Sequence, residues 1–256
     1  MPATEPAALP PGPDPWAGLR AFTAARIALG RSGVSVPLRA ALDFRLAHAH
    51  ARDAVYSTLN IEQLVAALAA LNHATLQVHS RAQSREEYLQ RPDYGRQLDA
   101  ASAAQLRQAA PPACDLVIVL ADGLSATAVN DHAGPLLALL LPRLRAAGLR
   151  PGPVVLAEQS RVALGDEVGH CLRARLVLVL IGERPGLSAP NSLGAYLTFA
   201  PRPGLTDEAR NCVSNIRPEG LDYPAATDRL AYLLQAASQR QLSGVALKDD
   251  STPLLT

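Results

Sequence analysis

The strongest constraint on this chain is a pair of unbroken apolar runs. One is opened by Asp115 and reaches Leu120, where Ala121, Asp122 and Gly123 close it; the other is Leu176 to Ile181. A strand that is apolar along its whole length must be buried on both faces, which is the condition of a parallel sheet covered by helices on each side. The sequence between the runs supplies those helices. Ser125 stands where it can cap a helix that continues to about Ala147 and ends at Gly148, a shorter run follows at Val154 to Ala157, and Val162 to Ala174 reads as a second helix. Strand, helix, strand, helix, strand with short connections predicts an α/β fold, a Rossmann-like and mostly parallel sheet with helices on both faces. Tyr196 to Phe199 is a further strand. Tyr223 to Arg240, carrying Leu230, Leu233 and Leu234, is a closing amphipathic helix.

The chain ahead of the first run reads differently. Met1 to Pro15 is rich in proline and alanine and is expected to be a flexible tail. From Trp16, the spacing Trp16, Leu19, Phe22 suggests a short amphipathic helix, ended by Gly30 and Gly33. Leu38, Leu42 and Leu46, with Val55 further on, place a helix between Ser35 and Val55. Asn60 can cap the next, Ile61 to Leu71, with its stripe Leu64, Leu68, Leu71. Ser84 three residues before Glu87 is a capping box that opens a helix near Arg85 to Leu89. The expected organisation is therefore a tail over 1–15, a helical N-terminal region over 16–110 and the sheet domain over 111–256.

Composition removes whole classes of function. The 24 basic and 23 acidic residues leave a net charge of +1, too little to draw in a nucleic-acid backbone. Lys248 is the sole lysine, so Schiff-base chemistry has almost no candidate. No apolar run approaches the roughly 18 residues of a membrane span, and the N-terminus lacks a basic start and apolar core, so a cytoplasmic protein is expected. Cys114, Cys171 and Cys212 are odd in number and widely spaced, which writes neither a disulfide framework nor a metal clip. The six histidines are scattered and suggest no metal site.

In an open α/β sheet, ligands bind beyond the carboxyl ends of the strands. Those ends are Asp122-Gly123-Leu124-Ser125, Glu158-Gln159-Ser160-Arg161 and Gly182-Glu183-Arg184-Pro185-Gly186. The first turn lacks G-x-G-x-x-G, and no G-x-x-x-x-G-K-[ST] occurs, so the usual phosphate cradles are missing. In the third loop, glycines permit close backbone approach and Glu183 can accept hydrogen bonds from amides or amines. Asn211 to Gly220 is too polar for a core strand and is either a functional loop or a connector. Asp122 and Ser125 have no histidine in clear relation to them, so a hydrolase triad is not supported.

These segments together carry a resemblance. Leu42-Asp43-Phe44-Arg45-Leu46-Ala47-His48 with Ala51-Arg52-Asp53-Ala54-Val55, Tyr88-Leu89-Gln90-Arg91-Pro92-Asp93, Arg161-Val162-Ala163-Leu164-Gly165-Asp166-Glu167, Ile181-Gly182-Glu183-Arg184-Pro185-Gly186-Leu187 and Cys212-Val213-Ser214-Asn215-Ile216-Arg217 resemble the small (light) subunit family of ethanolamine ammonia-lyase. The match runs through most of the chain. Two stretches depart from it: Tyr56 to Gln77 is variable, with Tyr56 in place of an expected histidine, and the tail after Asp250 has no counterpart.

The resemblance implies a subunit of an enzyme that converts ethanolamine to acetaldehyde and ammonia by a radical mechanism with adenosylcobalamin. It implies a large-subunit partner that carries the substrate site, with the cofactor held between the two. Val162, Glu183 and Cys212 are the cofactor contacts it implies for this chain, none of them catalytic. Asp131-His132 does not satisfy the D-x-H-x-x-G motif of cobalamin enzymes that replace the cofactor's own base, so that base is expected to stay on cobalt. Residence in a bacterial microcompartment is implied where the host builds one. The rival reading is a stand-alone Rossmann-like enzyme binding a nucleotide through Asp122, Ser125 and Arg184.

Overall fold

The computed structural model describes residues 14–23, 25–109 and 114–250. Most of the expected tail, together with Pro111 and Pro112, lies outside them. In chain order the elements are α1 (Leu38–Val55), α2 (Ile61–Ala70), β1 (Thr75–His79), α3 (Arg85–Gln90), α4 (Ala100–Gln108), β2 (Leu116–Ala121), α5 (Ala126–Ala146), β3 (Pro151–Glu158), α6 (Leu164–Cys171), β4 (Leu176–Gly182), β5 (Leu193–Phe199), β6 (Arg210–Ile216) and α7 (Tyr223–Arg240).

The strands form one six-stranded sheet in the order β1-β3-β2-β4-β5-β6. β1, β3, β2 and β4 are parallel, whereas β5 pairs antiparallel with both β4 and β6. The α/β class expected from the apolar runs is present. Alternation along each buried strand splits the core into two halves. Leu116, Ile118, Leu120, Leu176, Leu178 and Leu180 face α2, α5 and α7 on one side. Val117, Val119, Val155, Val177 and Val179 face α4 and α6 on the other.

Several expectations need correction. The N-terminal region is not all helical, because Thr75–His79 adds an edge strand that pairs with β3 from Thr75↔Val154 to His79↔Glu158. Its short alternating pattern was too brief to stand out between helices. Asn211 to Ile216 is neither loop nor connector: it lies in β6, paired with β5 at the other edge of the sheet, where one wet face explains its polarity. Trp16 to Phe22 makes a 3-10 turn over Ala17–Phe22 with no buried residue, and the second helix between the runs is shorter than expected, Leu164–Cys171.

Capping differs in one instructive place. Asn60 accepts from the Gln63 N–H and Ser84 from the Glu87 N–H, as their spacing implies. Ser125 does not cap α5. Its hydroxyl donates to the Pro190 carbonyl at 2.9 Å, while the Thr127 N–H at the start of α5 is received by Ser57 Oγ at 3.1 Å. A cap can thus come from a distant residue, here one just past α1.

Candidate cofactor cleft at the strand carboxyl ends

β2 leads to β3 on one side of it, and the chain then returns past β2 to β4, so the crossovers part between β2 and β4. The two strand ends touch there through glycine. Gly123 has φ +57°, and a Cβ on it would meet the Gly182 carbonyl at 2.2 Å; one on Gly182 would meet the Ser125 carbonyl at 1.9 Å. The Leu124 N–H donates to Gly182 O at 3.0 Å. Glycine is required at both positions by backbone-to-backbone approach.

Asp122 stabilises this junction from inside. Its carboxylate is buried, accepts the Gln159 and Ser160 N–H groups at 2.7 and 2.8 Å, and lies 3.5 Å from the Arg85 guanidinium. Burial pushes its pKa up to about 6, against the opposing pull of the Ser160 N–H, Arg85 and the Gln159 N–H. Asp122 and Ser125 are therefore committed to structure, and of the three residues only Arg184, which is exposed, lines the cleft. The residues of the rival nucleotide site do not converge on a ligand.

Above the glycine junction opens a cleft of about 360 Å³. Gly123, Ile181, Gly182 and Glu183 form its floor and one wall, and Tyr88, Arg161, Val162 and Tyr196 complete it. Tyr88 is fully buried, donates to the Ser160 carbonyl at 3.1 Å, and carries the guanidinium groups of Arg85 and Arg161 over its ring at 4.7 and 4.3 Å. Burial raises the Tyr88 hydroxyl well above its usual range, so it stays neutral. Gly95 makes room for this stack, since a Cβ there would meet the Tyr88 ring at 2.8 Å.

Val162 and Glu183 face the same cleft from opposite strand ends. Glu183 accepts from Ser192 Oγ at 2.6 Å and from the Asn215 N–H at 3.3 Å, which ties the loop after β4 to β5 and β6. Cys212 is exposed on β6, directly across from Tyr196 in the sheet. Desolvation of its sulfur, with Glu183 nearby, pushes the thiol up, so it is a neutral, weakly polar group. Glu183, Tyr196 and Cys212 thus form one continuous surface beside Val162. The residues that sequence reasoning did not single out are Tyr88, Arg161 and Tyr196. Arg161 was visible only as the polar residue that follows the β3 run.

Comparison with known proteins gives this arrangement its context. Residues 13–248 match the model of the ethanolamine ammonia-lyase light chain family. This chain belongs to that family. It is 56% identical over 246 residues to the ethanolamine ammonia-lyase small subunit of Ralstonia nicotianae, covering 94% of this chain and 91% of that one. The small subunit of Pseudomonas putida is 54% identical over 246 residues, covering 95% and 90%. That of Bradyrhizobium diazoefficiens is 56% identical over 238 residues, covering 93% and 91%. Among the described residues, no helix is long and apolar enough to cross a membrane, and no group of three or more His, Cys, Asp or Glu side chains could hold a metal.

Proposed function

We propose that this chain is the small subunit of an adenosylcobalamin-dependent ethanolamine ammonia-lyase, which converts ethanolamine to acetaldehyde and ammonia. In this reading Val162, Glu183 and Cys212 hold one side of the cofactor against a large subunit that carries the substrate site. The observation that carries it is the convergence of Val162 and Glu183 on one open cleft, with Cys212 on the adjoining strand surface, in a chain of this family.

The residues suit a ligand fringed with primary amides, as a corrin is. An ionised carboxylate has about four acceptor sites, and the bonds from Ser192 and Asn215 leave Glu183 capacity for amide N–H groups. The Val162 N–H finds no acceptor among the described residues, so it can donate to an amide carbonyl. Cys212 offers a small, neutral surface for close contact. Adenosylcobalamin, when bound, supplies the radical chemistry that no side chain offers. This chain's own residues position and exclude water; none of the three need move a proton.

A second feature supports the subunit reading. Phe22, Leu38, Leu42, Phe44 and Leu46 are exposed, and Phe22 and Leu38 are 86% and 75% accessible. Apolar side chains gathered on one segment in this way mark a surface that another protein covers, and the large subunit is the occupant we assign. Residence is cytosolic, or within a microcompartment where the host builds one.

The test is co-expression with a large subunit, purification through a tag on this chain, and a visible spectrum after hydroxocobalamin is added. Co-purification with retained corrin absorbance is expected. Retention of the large subunit without corrin would reduce the role to scaffolding, and a soluble chain that takes up neither would overturn the reading.

A further inference from the structure

The Arg161-Val162 step has a second side. Beyond it lies another cavity of about 360 Å³, lined by Arg96, Arg161, Val162, Ala163, Thr206 and Arg210 among others, so these two residues border both spaces. The charges in this outer cavity do not cancel. Arg210 pairs with Asp166 at 2.9 Å and with Asp207, which also lines the cavity, at 3.4 Å, so these three groups together carry −1 and Arg96 with Arg161 bring the whole to +1. The side chains of Arg96 and Arg161 have no carboxylate partner among the described residues, and Arg161 Nε is buried without a hydrogen-bond acceptor. Backbone donors add to them. The Arg161 N–H is used by the Gly95 carbonyl at 2.8 Å, but those of Val162 and Ala163, just ahead of α6, find no acceptor among the described residues. With the Val162 N–H committed to the inner cleft, two guanidinium groups without a carboxylate partner beside the unused Ala163 N–H ahead of α6 make a receptor for an oxyanion.

We infer that this outer cavity is an anion subsite that takes a phosphodiester. Resting on the cofactor reading above, the phosphodiester is that of the cobalamin nucleotide loop. Glu183 and Val162 then meet the amide fringe while Arg96 and Arg161 meet the anionic end, and the shared Arg161-Val162 border joins the two.

The test uses the complex of this chain with its large subunit and compares two corrins by visible titration: hydroxocobalamin, and cobinamide, which lacks the phosphodiester and the base. Arg96→Gln and Arg161→Gln are each expected to weaken cobalamin about tenfold to a hundredfold, the loss of one charge-assisted hydrogen bond, and Arg96→Gln, whose residue lines only the outer cavity, is expected to leave cobinamide unchanged. Arg96 is exposed and its side chain makes no bond within the chain, so Arg96→Gln keeps the test valid if Arg161→Gln disturbs the Tyr88 stack. With Arg96→Gln, equal losses on both corrins, or none on either, would overturn the subsite while the cofactor reading stands. A wild-type complex that takes up neither corrin would sink both. Inorganic phosphate is the remaining probe: competition with cobalamin but not cobinamide supports the assignment, and phosphate held alongside bound cobalamin overturns it in favour of a free anion.

Discussion

Strand β4 and helix α1 are both rich in leucine, and they meet opposite fates. Every residue of Leu176 to Ile181 is buried, because α5, α6 and α7 cover the sheet on both sides. On α1 only Ala51 and Ala54 are buried, near its C-terminal turn, while Leu38, Leu42 and Leu46 face outward. The periodicity of α1 defines a face as clearly as the run in β4 defines a strand. What differs is the cover. That of β4 is encoded later in the same chain, whereas that of α1 is not found among the described residues. A hydrophobic pattern therefore states which residues share a face, and only topology or a partner states what lies against it.

The largest effect that tests this contrast is expected at the glycine junction. Gly182→Ala drives a methyl group into the Ser125 carbonyl, where backbone must move, and should cost more than about 3 kcal/mol in urea denaturation. Gly18→Ala, in the N-terminal segment, meets nothing within 4 Å and should change stability by less than about 0.5 kcal/mol. Next comes Leu178→Ala, which empties a fully buried site between β4 and its covering helices and should cost about 3 kcal/mol in the same assay. A loss below about 1 kcal/mol there would mean that the core closes over the cavity far better than a rigid sheet allows.

The sequence displayed the centre of the fold and hid its edges. β2, β4 and α7 were legible because each gives an unmixed signal: an unbroken apolar run, or Leu230, Leu233 and Leu234 at helical spacing. β1 and β6 were not, since an edge strand has one polar face that breaks the apolar run. The site divided in the same way. Loop positions at strand ends pointed to Glu183, yet the resemblance was needed to single out Val162 and Cys212, and Tyr88 reaches the cleft from a helix far away in the chain. The role of Asp122 was misjudged because its position at a strand end cannot reveal that both its oxygens are already taken.

Asp122 offers a middle-sized test with a definite sign. Its folded pKa, raised to about 6 by burial, lies above the roughly 3.9 of an unfolded aspartate, so the folded state holds the proton more tightly. The contribution to stability is present in full below about pH 4 and is lost as pH rises to about 6, an amount of about 3 kcal/mol. Asp122→Asn removes that titration, so the stability of the wild type relative to the variant should fall between pH 4 and pH 7 in paired denaturation curves. A difference that grows with pH instead would show that the Gln159 and Ser160 N–H groups and Arg85 outweigh burial.

The smallest effect on the chain alone belongs to α1, and there the comparison is sharpest. Leu42→Ser changes a half-exposed side chain that shields no core, so the free chain should keep its stability within about 0.5 kcal/mol. If the large subunit covers this face, the same substitution removes about 1 kcal/mol of burial from the complex, and retention in a tag-based pull-down should drop about fivefold. Leu178→Ala should do the reverse, lowering the stability of the free chain while the folded fraction retains its partner. Loss of stability without loss of partner at Leu42 would mean that α1 packs on this chain after all. Its apolar stripe would then belong with that of β4, as a face whose cover lies within the same polypeptide.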